Sequence, residues 1–172
     1  SRVLILDSGD TFFLDDTKHN DDTRKIHAEI IAQSFNLMRC NALTPGQRDI
    51  TEFGISYLKE LEDISGTDFL SCNIYSNTTS KRLFNEYKIE DLDGFKIGYI
   101  GLTSAFQNGE VLIKEPISQL KETVNHISKE SNFIILLFNG TQSDLDRLQK
   151  SDIDIDLILY SKSNGKTNTR AS

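Results

Sequence analysis

Six short apolar runs divide the chain, and each is bounded by polar or turn-forming residues. Apolar runs of this length with little alternation are typical of strands in a sheet that is covered on both faces. The runs are "VLIL" (3–6), "AL" before a Pro-Gly turn (42–43), "FLSCNI" (69–74), "FKIGYIGL" (95–102), "FIILLF" (133–138) and "DLILY" (156–160). The pattern therefore predicts a fold built on sheets.

Longer amphipathic stretches lie between these runs. Two of them carry apolar residues at steps of three and four, which is the spacing of one helix face. These residues are Ala28, Ile31, Phe35 and Met38 in the first stretch and Ile117, Leu120, Val124 and Ile127 in the second. Pro116 suits the first turn of the second helix, because the N–H that proline lacks would have no partner there.

Two shorter helices are also predicted. Leu58 and Leu61 indicate a helix that ends at Gly66, a residue type that often terminates helices. Ser143 is the predicted N-cap of a short helix over "DLDRLQK" (144–150), because its hydroxyl can accept a hydrogen bond from the first helical turn.

The alternation of strands and helices predicts an α/β fold, a layered sandwich of mixed β-sheets flanked by helices. The pair Asp93-Gly94, between two strand-like segments, predicts a hairpin and thus at least one antiparallel excursion. We expect a single domain over residues 1–172. Because the sequence begins without Met and directly in a strand, we expect a processed or incomplete chain.

Charge and apolar run length exclude two classes of partner. The net charge is −7, and lysines and arginines are scattered, so the chain would repel a phosphate backbone and we expect no nucleic acid partner. The run 133–138 is far shorter than the roughly 20 residues that cross a bilayer, so we expect no membrane span. The segment 15–25 is dense in charge and is predicted to be a solvated loop.

Cys40 and Cys72 each lie beside apolar residues and form no CxxC pair. Two buried thiols is the favoured interpretation, and a disulfide between them is the alternative.

Polar residues follow the predicted strands, at the sheet edge where ligands of α/β folds collect. They are Ser8, Gly9 and Asp10 after the first run, Gly46 to Asp49 after the second, Asn73 after the third, Asn139 and Gly140 after "FIILLF", and Ser161 to Asn164 after the last. One interpretation of the loop "DSGDT" (7–11) is the phosphoryl-accepting loop of haloacid-dehalogenase enzymes. That loop needs two carboxylates two residues apart, whereas Asp7 and Asp10 are three apart, so this interpretation is disfavoured.

Taken together and in order, these segments resemble a known family. The stretches "VLILDSGDTFF", "NLMRCNALTPGQRD", "FLSCNIY", "GFKIGYIGLTS", "IILLFNG" and "DIDLILYSKSN" are similar to the calcineurin-like metallophosphoesterases, and among them to the 5′-nucleotidase branch. The resemblance spans nearly the whole chain. It implies two divalent cations (Mn, Mg or Zn) that clamp a phosphate ester and generate a hydroxide nucleophile, while a motif histidine steadies the leaving oxygen.

The resemblance assigns a role to each residue of the first two loops. Asp10 corresponds to the carboxylate that bridges the two metals, and this ligand is retained. The family's Gly-Asn-His-Asp turn falls on residues 46–49, where Gly46 and Asp49 keep the family's identity. The metal-binding Asn of that turn falls on Gln47, and its catalytic His falls on Arg48.

The later motif positions also carry residues that differ from those of the family. The family's lone His after the fifth strand falls on Asn139, and the two histidines of its last motif fall on Lys162 and Asn164. Asn73 matches the family's Ser-Ala-Asn strand, and we interpret it as bonding to the backbone rather than as catalytic. The family's opening Asp-x-His strand would precede Ser1.

These exchanges argue against a conventional two-metal centre. The Arg48 guanidinium is permanently protonated and cannot ligate a cation, and Lys162 would first have to lose its proton. Two cationic side chains would also repel two metal ions at short range. His19, in the charged loop, and His27 and His126, on helices, are interpreted as surface residues, because zinc sites need several His or Cys side chains that converge.

The leading hypothesis is a 5′-nucleotidase-like domain that has lost two-metal hydrolysis, needs no cofactor, and serves a binding, scaffolding or assembly role. The first alternative is an active metal-dependent phosphohydrolase with an altered site built from Asp10, Gln47 and Asn139 together with residues that precede Ser1. Oxygen ligands of this kind suit Mg²⁺ or Mn²⁺.

Two further interpretations concern Arg48. In one, Arg48 and Lys162 stand where the metals would be and hold a phosphate or carboxylate directly, so that the domain is a metal-free anion-binding module. In the other, which is purely structural, Arg48 pairs with Asp49 or Asp10 and closes the pocket.

Partners and location follow from the same reasoning. A phosphate-bearing small molecule suits the binding hypotheses, and an edge strand left bare by a missing terminus could pair with another protein chain. The resemblance implies a periplasmic or extracellular protein. The triplets that match a glycosylation acceptor, at Asn77 and Asn139, are interpreted as chance matches.

Overall fold

Three small sheets and the helices packed against them make up the described part of the chain. The computed structural model describes residues 3–13 and 19–162, so Asn164 lies outside it. The elements are β1 (Leu6–Asp7), α1 (Asp21–Met38), β2 (Ala42–Leu43), α2 (Gln47–Thr51), α3 (Gly54–Ser65), β3 (Ile74–Ser76), β4 (Tyr87–Leu92), β5 (Phe95–Thr103), β6 (Val111–Ile113), α4 (Pro116–Ile127), β7 (Phe133–Gly140), α5 (Gln142–Gln149) and β8 (Leu157–Lys162). The predicted class, an α/β fold with mixed sheets, is confirmed.

The largest sheet has the strand order β4-β5-β7-β8. Strands β4 and β5 are antiparallel and are joined at Asp93 and Gly94, whose φ angles of 56° and 92° confirm the predicted hairpin turn. Strands β5, β7 and β8 are parallel, and Thr103, Asn139 and Ser161 stand opposite one another across them. The carboxyl-terminal ends of three strands therefore lie side by side at one edge of this sheet.

The two smaller sheets bring a second set of strand ends to the same place. Strands β1 and β2 are parallel, with Asp7 opposite Leu43, and β3 and β6 are antiparallel. The residues that follow β1 reach the large sheet, because the hydroxyl oxygens of Ser8 and Ser161 lie 2.7 Å apart. Polar strand ends from two sheets thus converge, as the sequence predicted.

The helices bury most of the apolar residues that the sequence pattern indicated, but Met38, at the end of α1, is 49% exposed. Ala28, Ala32 and Phe35 of α1 pack with Leu58 and Leu61 of α3, and all five side chains are buried. A second cluster joins helices α4 and α5 to the large sheet through Leu120, Val124, Ile127, Leu136, Phe138, Leu145 and Leu148. Each such side chain contributes about 1.5–3 kcal/mol when it leaves water, so these clusters hold the strand ends in place.

Helix starts are where the predictions and the structure differ most. Pro116 is the first residue of α4, as predicted. Ser143 is not an N-cap; Thr141 takes this role, because its hydroxyl oxygen accepts a 3.1 Å hydrogen bond from the Asp144 N–H. The predicted loop over residues 15–25 is wrong from Asp21 onward, since an Asn20 cap starts α1 there.

The two cysteines are free and buried, so the alternative of a disulfide is wrong. Burial raises the pKa of the Cys40 thiol to about 11 and that of Cys72 to about 12. No helix in the described ranges is long and apolar enough to span a membrane.

Candidate functional site

Asp10 lies in the turn after β1 and is held against the turn that starts α2. Its Oδ1 atom accepts a 2.7 Å hydrogen bond from the backbone N–H of Arg48. Gly46 lies so close that a Cβ atom there would be 2.2 Å from the same oxygen. Gly9 and Asp10 both have left-handed φ angles, 86° and 61°, which bend the chain towards residue 46. The retained carboxylate is therefore fixed by the backbone of the motif turn.

Asp49 links the two turns through buried hydrogen bonds. Its carboxylate is 1% exposed and accepts hydrogen bonds from the N–H groups of Asp10 (2.7 Å), Gly46 (2.9 Å) and Phe12 (3.2 Å). Burial, reinforced by the charge of Asp10, raises the pKa of Asp49 to about 7, although the three N–H donors act in the opposite direction. Asp49 joins two segments of chain and has little capacity left for a ligand.

The Arg48 side chain turns away from both carboxylates. Its Nη1 atom donates a 3.2 Å hydrogen bond to the carbonyl oxygen of Phe13. No ion pair joins Arg48 to Asp10 or Asp49, all three of which belong to the described residues, so the predicted pairing is wrong. The backbone of Arg48, not its guanidinium, makes the link to Asp10, because α2 begins at this point and its first N–H groups have no partners within the helix.

Asn139, at the end of β7, is fully buried, and only one of the two polar atoms of its side chain has a hydrogen-bond partner among the described residues. Its Oδ1 atom accepts a 3.4 Å hydrogen bond from the Gln47 N–H. The opposite orientation of the amide would set two donors against each other, so this bond fixes which way the side chain faces. Its Nδ2 group has no hydrogen-bond partner among the described residues. An amide nitrogen of this kind can donate to an oxygen but cannot ligate a cation.

Lys162 does not reach this cluster. It lies opposite Gly140 at the end of β8 and is exposed. The side chain of Ser161 faces Ser8, and successive side chains of a strand point to opposite faces, so Lys162 points to the other side of the sheet. The predicted metal-free anion site required Lys162 and Arg48 to lie together. The structure places Lys162 on the other side of the sheet, so the two side chains do not meet.

Asn73 binds backbone groups, as predicted, but these groups belong to β5 and to the residue after β6 rather than to the next turn of the chain. This buried side chain donates to the carbonyl oxygens of Thr103 (2.6 Å) and Lys114 (3.2 Å) and accepts from the Thr103 N–H (3.1 Å). It therefore ties the end of β5 to the residue after β6.

Two further polar groups shape the site. Asp7 accepts hydrogen bonds from the Gly9 N–H (2.8 Å) and the Thr11 hydroxyl, so it organises the β1 turn. Ser104, which the sequence analysis missed, is 4% exposed and donates a 2.6 Å bond to Asp144. Its position directly after β5 is the signal that could have identified it.

The donor set does not fit a two-metal centre. Within residues 3–13 and 19–162, no group of three His, Cys, Asp or Glu side chains could hold a metal ion. Asp10 offers one carboxylate, Gln47 and Asn139 offer only amides, and Arg48 is a cation. Two divalent ions need several anionic or imidazole ligands, which this part of the chain does not bring together.

An α/β sandwich with polar strand ends gathered at one edge, as found here, is the architecture that the resemblance to the calcineurin-like metallophosphoesterases implies. No family model matches the chain. The protein UshA of Yersinia enterocolitica is 30% identical over 110 residues, which cover 59% of this chain and 20% of UshA. A 5′-nucleotidase of Vibrio parahaemolyticus is 34% identical over 86 residues, which cover 41% of this chain and 15% of that protein.

Solved structures share the fold across most of the chain. The sulfate thiohydrolase SoxB of Thermus thermophilus matches 91% of this chain with a TM-score of 0.73 and 21% identity. The NAD nucleotidase of Haemophilus influenzae matches 94% with a TM-score of 0.66 and 20% identity. The match covers 29% of each of these two chains. The likeness to the 5′-nucleotidase-like branch, inferred from the sequence, is confirmed.

Proposed function

We propose that this chain is a 5′-nucleotidase-like phosphoesterase-fold domain that does not catalyse two-metal hydrolysis and serves a binding, scaffolding or assembly role. The observation that carries the proposal is the setting of Arg48. It occupies the family's catalytic His position, its backbone N–H binds Asp10, and its guanidinium is turned to the Phe13 carbonyl. A permanently charged group held in this way can neither ligate a cation nor relay a proton.

The neighbouring motif positions support the same conclusion. The carboxylate of Asp49 is occupied by three backbone donors, and the amide oxygen of Asn139 is occupied by the Gln47 N–H. These side chains therefore bind backbone groups of the chain itself and stabilise the loops that the family uses for chemistry.

Metal content and turnover test this proposal. The full-length protein, its Asp10→Ala variant and its Arg48→His variant are dialysed against Mn²⁺, assayed for bound metal, and incubated with adenosine 5′-monophosphate. We expect no Mn²⁺ that depends on Asp10, and no hydrolysis above that of Asp10→Ala. About two Mn²⁺ per chain, lost in Asp10→Ala and accompanied by hydrolysis, would overturn the proposal and establish the altered-site phosphohydrolase.

A metal-free site for a phosphate-bearing small molecule is the second candidate. The unpartnered Nδ2 group of Asn139 favours it, because a buried donor gains an acceptor when an oxyanion binds. Calorimetry with inorganic phosphate and with adenosine 5′-monophosphate would test it. Binding that is weakened in Asn139→Asp, a variant of nearly the same shape that replaces the donor by a charge, would support this function; an unchanged isotherm would exclude it.

The assembly role and the location are tested separately. Molar mass in solution would report whether the full-length protein pairs with a second copy. By resemblance we expect the protein to act in the periplasm or outside the cell, and fractionation of the source cells would check this.

A further inference from the structure

Two of the chain's three histidines converge at the start of α1, away from the motif loops. His19 directly precedes the Asn20 cap, and His27 lies on the helix. Their ring centres are 5.6 Å apart with an angle of 70° between the ring planes. Both residues are exposed, so a solvated ion can reach them. From the sequence, His19 is expected in the charged loop and His27 on a helix, each as a surface residue.

The separation of the rings suits a shared metal ion. Zinc lies about 2.0–2.1 Å from each imidazole nitrogen, and two such ligands in a tetrahedral site have ring centres roughly 5 to 6 Å apart. The observed distance of 5.6 Å falls in this interval. A simple edge contact between two rings has a similar spacing, so an experiment must separate the two interpretations.

The surroundings favour a cation. Asp21 and Asp22 occupy the first turn of α1, and the chain as a whole carries a net charge of −7. Two basic residues of α1 are engaged elsewhere: Arg24 binds Glu52, and the Lys25 ammonium lies over the Phe53 ring. The carboxylates of Asp21 and Asp22 favour a cation at this end of the helix and offset the opposing positive end of the α1 dipole.

We propose that His19 and His27 form a surface site for Zn²⁺ or another divalent ion that prefers imidazole, with water completing the coordination. No third His, Cys, Asp or Glu joins them among the residues that the structure describes. Within the described part of the chain, the site therefore has two protein ligands. Imidazole is a good ligand for zinc and a poor one for magnesium, so the site discriminates between these ions. A bound ion would clamp the segment before α1 to the helix.

Titration of the full-length protein with Zn²⁺ alone tests the site. The variants are His19→Ala, His27→Ala and, as a matched control, His126→Ala, which removes the third histidine from the exposed part of α4. We expect one Zn²⁺ per chain in the wild type and in His126→Ala, and a loss of affinity on the order of tenfold or more in each of the other two variants. Mg²⁺ should give no signal.

A second readout separates a ligand role from a structural one. Zn²⁺ should raise the thermal unfolding temperature of the wild type and of His126→Ala, but not that of His27→Ala, because only a protein that binds the ion is stabilised by it. Equal Zn²⁺ affinity in the wild type and His27→Ala, or no Zn²⁺ binding at all, would overturn the proposal. Binding should persist in Asp10→Ala, which distinguishes this site from any metal in the motif loops.

Discussion

The backbone N–H of Asp10 donates a 2.7 Å hydrogen bond to Oδ2 of Asp49, across 39 positions of sequence. This bond joins the turn after β1 to the turn that begins α2. Both carboxylates belong to the motif loops that the resemblance to metallophosphoesterases identifies. In this chain Asp10 accepts a hydrogen bond from the Arg48 N–H, and Asp49 accepts one from the Asp10 N–H, so each carboxylate binds the backbone of the other's loop. The two loops therefore form one hydrogen-bonded unit whose stability can be measured.

Gly46→Ala should destabilise this unit. The added methyl group would lie 2.2 Å from Oδ1 and 2.6 Å from the backbone nitrogen of Asp10, so the β1 turn must move. We expect a loss of about 1–3 kcal/mol in the free energy of unfolding, measured with urea. Gly109→Ala is the matched control, because no atom lies within 4 Å of its added Cβ, and it should change stability by less than about 0.5 kcal/mol. Equal effects of the two changes would contradict the crowding argument.

The titration of Asp49 predicts how stability depends on pH. The pKa of Asp49 is about 7 in the folded chain and about 4 in an unfolded one, so the folded state holds its proton more tightly. The resulting stabilisation is complete below about pH 4 and is lost as the pH rises through about 7. Urea unfolding of the wild type should therefore give a larger loss of stability between pH 5 and pH 8 than unfolding of Asp49→Asn. Asp10→Asn should show an intermediate loss, and parallel profiles for all three proteins would refute the prediction.

Much of the fold could be predicted because its longest strands are also its most apolar ones. Strands β5 and β7 coincide with the runs 95–102 and 133–138, and both are buried between other elements. Strand β6 and helix α2 are short and have no periodic pattern of their own. They form because of their neighbours, through the pairing with β3 and through the Asp10 cap. A local sequence signal for them does not exist.

The site could be predicted by position but not by side-chain direction. The rule that ligands collect at strand ends identified Asp10, Asn139 and Lys162. Whether a strand-end residue faces the cluster depends on its register, which places Ser161 towards Ser8 and Lys162 on the other side. Likewise, the contact between His19 and His27 has no periodic signal in the sequence, because eight positions separate the two residues and only His27 belongs to α1.

The cysteines should be unreactive in the folded protein. Cys40 is 7% exposed and Cys72 is 0% exposed, and burial raises the pKa of their thiols to about 11 and about 12. Because the thiolate is the reacting form, a disulfide-exchange reagent at pH 8 should label neither residue within minutes. In guanidinium chloride it should label both. Fast labelling of the native protein, or fewer than two thiols after unfolding, would contradict the buried, reduced state.

Asn73→Ala should be among the most destabilising single changes at the strand ends. The buried side chain makes three hydrogen bonds to backbone groups of Thr103 and Lys114, and alanine would leave those groups without partners. We expect a loss of about 2–4 kcal/mol in the free energy of unfolding. Asn36→Ala is the control, because that exposed amide makes one long bond of 3.4 Å and should change stability by less than about 0.5 kcal/mol. If the Asn73 change proved as mild as its control, β5 and β6 would have to be held together by packing alone, and the hydrogen-bonded asparagine would not determine the geometry of this edge.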